Sequence, residues 1–383
     1  MERIVVVGGG LAGYEAARAL RSQGFTGELI MLAAEDEPPY DRPPLSKDVL
    51  AWRDVKLHFD VAAIDGLEVR LGTPATGVED GAVLTAAGPV DCDGVVLAVG
   101  ADPIALPGAR TLRTLADAHA LRDVLEMGAE VAIIGAGWIG AEVAFAAAEN
   151  GCSVTVHEMA ATPLAAALPE DLGRRTVQWY EQLGIELRLG ERVDDVGALG
   201  ADVVLAGLGA RPSTGFLEGS AVDRRPEDGA VVVDARMQTS MPNVVAAGDC
   251  AAWWSGRYGR RLRVEHWDTA LHAPAVAAAT LLGVDTEPYD PVPYFWSDQF
   301  GHTIQCLGQR GDGDRRVDRS EGDDWAVGWF GEGDAGPVLT SLAVVDRPRD
   351  FSQARRLMTA GTPVDPDLFA DADVPVKSAA IAR

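Results

Sequence analysis

Ile4-Val5-Val6-Val7-Gly8-Gly9-Gly10-Leu11-Ala12-Gly13 opens the chain, and Val131-Ala132-Ile133-Ile134-Gly135-Ala136-Gly137-Trp138-Ile139-Gly140 repeats its pattern further on. Each stretch is a short β-branched run, then glycines at GxGxxG spacing, then a helical pattern, to about Gln23 in the first case and about Asn150 in the second. A further strand follows each helix, at 29–32 and at 154–156. Strand, glycine turn, helix and strand in that order give parallel pairs, which need crossover helices. Two such openings predict two doubly wound α/β units. The glycines Gly8, Gly10 and Gly13, and again Gly135, Gly137 and Gly140, let backbone approach a pyrophosphate at a helix N-terminus. An acid trails each second strand, Glu35 and Glu158, where a carboxylate accepts hydrogen bonds from ribose hydroxyls. Two bound dinucleotides are expected.

Working outward, the run 95–99 with its turn at Gly100 and the prolines Pro103 and Pro107 read as a strand and a linker. A helix is expected over about 170–183, with strands at 185–189, 203–206, 231–233 and 244–247, the last ending in Gly248-Asp249. A helix over about 267–282 runs to a proline-marked boundary at 288–293. Beyond it, alternating runs at 303–307, 325–330 and 338–345 and a helix near 351–360 suit a small α+β domain. The implied division is 1–107 and 236–290 for one dinucleotide domain, 108–235 for the other inserted within it, and 291–383 for the C-terminal domain.

At 383 residues the chain is too long for one ordinary domain, and 47% hydrophobic with 24% charged residues is the balance of a soluble globular protein. A net charge of −25 disfavours a surface that embraces nucleic acid. Cys92, Cys152, Cys250 and Cys306 are scattered without a CxxC pair, which argues against a disulfide scaffold, a structural zinc site or a local dithiol centre, and no metal is expected. The strand pattern begins by residue 3, leaving no room for a signal peptide, and the apolar stretch 131–148 carries Glu142 and reads as strand–turn–helix; a cytoplasmic protein without membrane contact is expected. Lysine occurs only at Lys47, Lys56 and Lys377, against 30 arginines.

The segment Pro39-Tyr40-Asp41-Arg42-Pro43-Pro44-Leu45-Ser46-Lys47 resembles that of the FAD-dependent NAD(P)H:ferredoxin reductases that serve Rieske-type oxygenases and cytochromes P450. Rubredoxin reductases and apoptosis-inducing factor are relatives of the same group. The likeness extends through Leu112–Ala118, Val264-Glu265-His266-Trp267, 294–299 and Arg355-Arg356-Leu357 with Gly361, and so covers nearly the whole chain. Thr239 with 244–249 looks like the second FAD motif of such proteins, placing Asp249 on the ribityl chain and FAD in the N-terminal unit. The inserted unit then takes the nicotinamide nucleotide, and Glu158 would repel a 2′-phosphate, so NADH is expected over NADPH.

The resemblance further implies that Arg42 and Lys47 lie against FAD, that Glu142 sits by the nicotinamide within reach of Lys47, and that Trp267 and Trp296 flank the flavin. No cysteine stands near Lys47, so no protein sulfur is expected to relay electrons to the small iron–sulfur partner, most simply a [2Fe–2S] ferredoxin. The basic cluster Arg257, Arg260, Arg261 and Arg263 is the expected docking face. Rubredoxin reduction, a diaphorase-like NADH oxidase, or a slow redox switch like apoptosis-inducing factor are the alternatives. Two departures from the family pattern stand out: Val99 replaces a usual threonine, and His272-Ala273 a usual Gln-Gly pair.

Overall fold

The run Arg3–Val7 is buried from Ile4 onward because it is the middle strand of a five-stranded parallel sheet. The order across that sheet is Val244–Ala246, Gly94–Leu97, Arg3–Val7, Glu28–Leu32 and Leu67–Arg70. Val5 pairs with Ile30 on one side and Val95 on the other, so covered on both faces these strands read as continuous apolar runs. The computed structural model describes residues 1–126, 128–320 and 322–381. It divides into two compact units, the first comprising Met1–Ser255 and Arg260–Tyr289, the second Gly256–Gly259 and Asp290 onward.

In the first unit the helix Leu11–Ser22 covers the sheet and packs against Trp267–Leu282. Alanines on both helices (Ala12, Ala16 and Ala19; Ala273, Ala277 and Ala278) are buried, as close approach requires. The second fingerprint builds its own four-stranded parallel sheet, ordered Glu186–Leu189, Ser153–Glu158, Glu130–Ile134 and Val203–Ala206. The chain enters and leaves it side by side, because Ala101–Pro103 pairs antiparallel with Ala210–Pro212. The stretch expected as linker is therefore partly strand.

Several elements differ from expectation. The helix expected over 170–183 is two, Glu170–Arg175 and Val177–Gln182, interrupted at Thr176, whose hydroxyl donates to the Gly173 carbonyl at 2.8 Å. An antiparallel meander, Ala75–Glu79, Ala82–Thr85 and Gly88–Asp91, and the helix Leu115–Glu126 carry too little periodicity to be read beforehand. A hairpin of Ala251–Ser255 and Arg260–Leu262 joins them.

The second unit is a five-stranded antiparallel sheet ordered Tyr294–Gln299, His302–Gly308, Gly336–Val345, Ala326–Gly333 and Arg315–Ser320. Its core gathers Leu342, Val344, Ala354, Phe369 and Val376 between the sheet and the C-terminal helices. Arg319, 4% exposed, donates to Asp350 and to the carbonyls of Phe369, Asp371 and Val374, pinning the chain after Pro366–Ala370.

Candidate functional site

Within each fingerprint the glycines answer to different constraints. Gly8 has φ +122°, and a Cβ there would lie 2.2 Å from the Ala98 carbonyl oxygen; one on Gly13 would lie 1.9 Å from that of Gly8. In the second fingerprint a Cβ on Gly135 would stand 2.6 Å from the Gly207 oxygen, and one on Gly140 2.0 Å from that of Gly135. These four glycines are required by the protein's own packing. The middle glycines are not. A Cβ on Gly10 would find nothing nearer than Arg42 Nε at 4.0 Å, and one on Gly137 nothing nearer than the Gly207 oxygen at 3.8 Å. Both have ordinary φ values, −89° and −79°, and both cap helices without a side-chain hydrogen bond. The space before each is a cradle that a Cβ would fill, beside helix N–H groups suited to phosphate. That is the fit two dinucleotides require. Ile139, Met159 and Leu208, at the C-terminal edge of the second sheet, are all exposed and offer apolar surface beside the second glycine loop.

The acids are held rather than loose. Glu35 accepts from the Tyr40 hydroxyl at 2.6 Å and pairs with Arg42 at 2.6 Å, while Arg42 also donates to the Arg113 carbonyl at 2.6 Å. The Tyr40 hydroxyl accepts in turn from the Leu115 N–H, and burial pushes its pKa to about 12. Glu158 accepts from the N–H groups of Ala136 and Ala160, each at 2.7 Å, so it orients the second glycine loop itself. Asp249 pairs with Arg113 at 3.2 Å. A Cβ on the preceding Gly248 would meet Ala12 at 2.8 Å, which brings the motif against the start of the first helix. Each oxygen of these carboxylates has two lone pairs, so a ribose or polyol hydroxyl can be accepted beside the protein donors.

The segment from Pro39 to Lys47 ties the two fingerprints together. Asp41 accepts from Trp267 Nε1 at 2.9 Å, and burial outweighs this bond to push the Asp41 carboxyl above its ordinary range. Pro43–Ser46 forms a 3₁₀ turn that delivers Ser46 and Lys47 to the helix Trp138–Glu149. There Lys47 Nζ lies 2.9 Å from Glu142 Oε2, and the Ser46 hydroxyl donates to the same oxygen. Glu142 is 4% exposed. Lys47, Glu142, Arg42, Glu35 and the two glycine loops thus belong to one connected set. Trp267 stands at its edge through Asp41. Trp296 lies in the second unit, stacked on Tyr294 with ring centroids 5.6 Å apart.

Sequence reading missed Asp41, Ser46 and Arg113 as site residues, although all three lie within the family-like stretches. Nothing in their spacing announces a role; only the folded contacts do. His266 is structural here: its ring accepts from the Asp268 N–H at 3.2 Å and caps the helix that follows. Cys250, next to Asp249, is buried with its thiol pushed to about 11 by desolvation, so it is not a reactive sulfur. Of the docking arginines, Arg261 donates to the Val233 and Ala252 carbonyls, and Arg263 pairs with Asp228 and Glu265. Arg257 donates to the carbonyls of Met358 and Thr359. Arg260 is exposed on the hairpin, opposite Ser255. Among the described residues no group of His, Cys, Asp or Glu is arranged to hold a metal, and no helix is long and apolar enough to cross a membrane.

Two dinucleotide cradles, one unit inserted in the other and a small C-terminal unit define a two-dinucleotide flavoprotein reductase. The chain belongs to the pyridine nucleotide-disulphide oxidoreductase family, whose model matches residues 2–273, with a reductase C-terminal domain over 294–380. It is an oxidoreductase that uses FAD and NADH. Over 403 residues it is 36% identical to the ferredoxin–NAD(+) reductase component of the anthranilate 1,2-dioxygenase system of Burkholderia cepacia, covering 98% of each chain. It is 31% identical to putidaredoxin reductase of Pseudomonas putida, covering 98% of this chain and 96% of that one. The crystal structure of a covalent putidaredoxin reductase–putidaredoxin complex superposes with a TM-score of 0.90 at 30% identity, covering 98% of this chain and 97% of that one.

Proposed function

We propose that this protein passes electrons from NADH through FAD to a small iron–sulfur protein, most simply a [2Fe–2S] ferredoxin that supplies an oxygenase. The observation that carries this reading is the Lys47–Glu142 pair, which joins the two dinucleotide loops in a segment that holds no thiol. When bound, FAD would accept one hydride, an electron pair, from NADH and give the two electrons up singly.

The residues of the chain supply alignment and a controlled field. Gly8, Gly10 and Gly13 with Glu35, Arg42 and Asp249 would hold FAD, and Gly135, Gly137 and Gly140 with Glu158 would hold NADH. The Glu158 carboxylate disfavours a 2′-phosphate, which supports NADH as the donor. Lys47 places an ammonium between the two sites, and Glu142 keeps it there. Trp267, held through its indole N–H by Asp41, offers an aromatic face at the edge of the set.

Docking of an acidic partner is inferred to use the basic hairpin, on which Arg260 is exposed. Charge reversal at Arg260 tests this: Arg260→Glu should slow ferredoxin reduction several-fold at low salt and leave NADH oxidation by ferricyanide unchanged. Equal losses with both acceptors would contradict it.

A further inference from the structure

Resting on the reading above, we propose that Ser46 is a positioning residue: its hydroxyl fixes the Glu142 carboxylate and, through it, the ammonium of Lys47 between the two nucleotide sites. Glu142 is buried in the inserted nucleotide unit at 4% exposure, and Ser46 is buried to the same degree. Two donors from adjacent residues, the Ser46 hydroxyl and Lys47 Nζ, converge on one carboxylate oxygen, Oε2. A lysine ammonium on four methylenes makes a point-charge contact that leaves the carboxylate plane free to turn. A hydroxyl on a one-carbon stem gives a directional bond, and here the stem belongs to a stiff turn. Pro43 and Pro44 preset its first residues, Arg42 precedes it anchored to Glu35 and Arg113, and Leu45 is buried.

The geometry assigns the pair two supports from opposite sides. The turn carries Ser46 on the FAD side, and the helix Trp138–Glu149 carries Glu142 on the nucleotide side. A buried hydroxyl without a partner is costly, so Ser46 is committed to this bond rather than to solvent. Without it, the carboxylate loses the directional donor of the stiff turn, and the ammonium relaxes toward water, to which the Lys47 side chain is 22% exposed.

The test uses the FAD-loaded full chain as wild type, Ser46→Ala and Ser46→Thr. Because only Lys47, Lys56 and Lys377 are lysines, a spectrum of protein labelled at the lysine ε-carbons shows three signals, assigned with Lys56→Arg and Lys377→Arg. Ser46→Ala is expected to move the Lys47 signal alone, and to slow flavin bleaching at saturating NADH about tenfold with little change in the NADH concentration for half-maximal rate. Ser46→Thr, which keeps the hydroxyl, is expected to restore both. An unmoved Lys47 signal in Ser46→Ala overturns the proposal, whether or not the rate falls, and so does a moved signal with an unchanged rate. If wild type itself is not bleached by NADH, the functional reading fails, while the lysine signal still decides whether Ser46 positions Lys47.

Discussion

Lys47 Nζ stands 2.9 Å from Oε2 of Glu142, one residue in the segment beside the first glycine loop and the other on the helix opened by the second. The two partners are unequally buried, Lys47 at 22% and Glu142 at 4% side-chain exposure. The consequences of breaking the pair are therefore unequal too.

Lys47→Met leaves a carboxylate buried with one donor fewer, at a cost of about 2 kcal/mol after allowing for the partial exposure of the lysine. Glu142→Gln leaves an ammonium that water can reach, and costs under ~1 kcal/mol. Urea unfolding of both variants should rank them in that order, and both should slow flavin bleaching by NADH.

The glycines predict a sharper contrast. Gly10→Ala and Gly137→Ala should fold with wild-type stability, because the added Cβ meets nothing within 3.8 Å. Gly137→Ala should keep FAD and raise the NADH KM about tenfold or more, while Gly10→Ala should lose FAD on dialysis. Gly13→Ala and Gly140→Ala drive a Cβ to 1.9 Å and 2.0 Å from backbone oxygens and should cost over ~3 kcal/mol. Melting curves and flavin content separate the two classes.

Glu158 orients its own glycine loop and is proposed to disfavour a 2′-phosphate, and substitution should show both. Wild type should prefer NADH to NADPH by ~100-fold in kcat/KM. Glu158→Gln removes the charge but turns an amide NH₂ toward the N–H of Ala136 or Ala160, both of which now donate to the carboxylate. The NADH KM should rise with no compensating gain toward NADPH. A clean switch of preference would show that the loop does not depend on Glu158.

Much of this was legible in the sequence because both glycine loops combine a strand, a turn and a helix start in one short stretch. The parallel sheets, the insertion of one unit in the other and the helix Trp267–Leu282 follow from such local patterns. The meander over Ala75–Asp91 did not, since its strands are short and mostly half exposed and so carry no clear alternation. Among candidate site residues, the glycines and acids could be proposed from their fixed offsets. Asp41, Ser46 and Arg113 act through contacts with Trp267, Glu142 and Asp249, far away in sequence, and no local spacing encodes those pairings. The arginine cluster was readable only as charge. Composition showed four positive charges, but folding commits Arg261 and Arg263 to carbonyl and carboxylate partners.

Acid stability supplies a prediction independent of catalysis. Burial would raise the Asp228 carboxyl, but bonds from Arg225, the Ala230 N–H and Arg263 prevail and hold it at about 2, below the ordinary 3.8. A carboxylate depressed in the folded state stabilises above its unfolded pKa, and that contribution fades as pH falls from about 4 toward 2. Asp228→Asn should thus be less stable than wild type at pH 7 and converge with it across that window, as followed by thermal unfolding at stepped pH.

The central claim is electron flow from NADH through the flavin to an iron–sulfur acceptor without a protein thiol. Its most direct test is anaerobic stopped-flow absorbance: the FAD-loaded protein is mixed with NADH, then with an oxidised [2Fe–2S] ferredoxin. The account predicts fast bleaching of the flavin, then its reoxidation in step with ferredoxin reduction. Fast bleaching followed by a reduced flavin that persists in the presence of ferredoxin would contradict it.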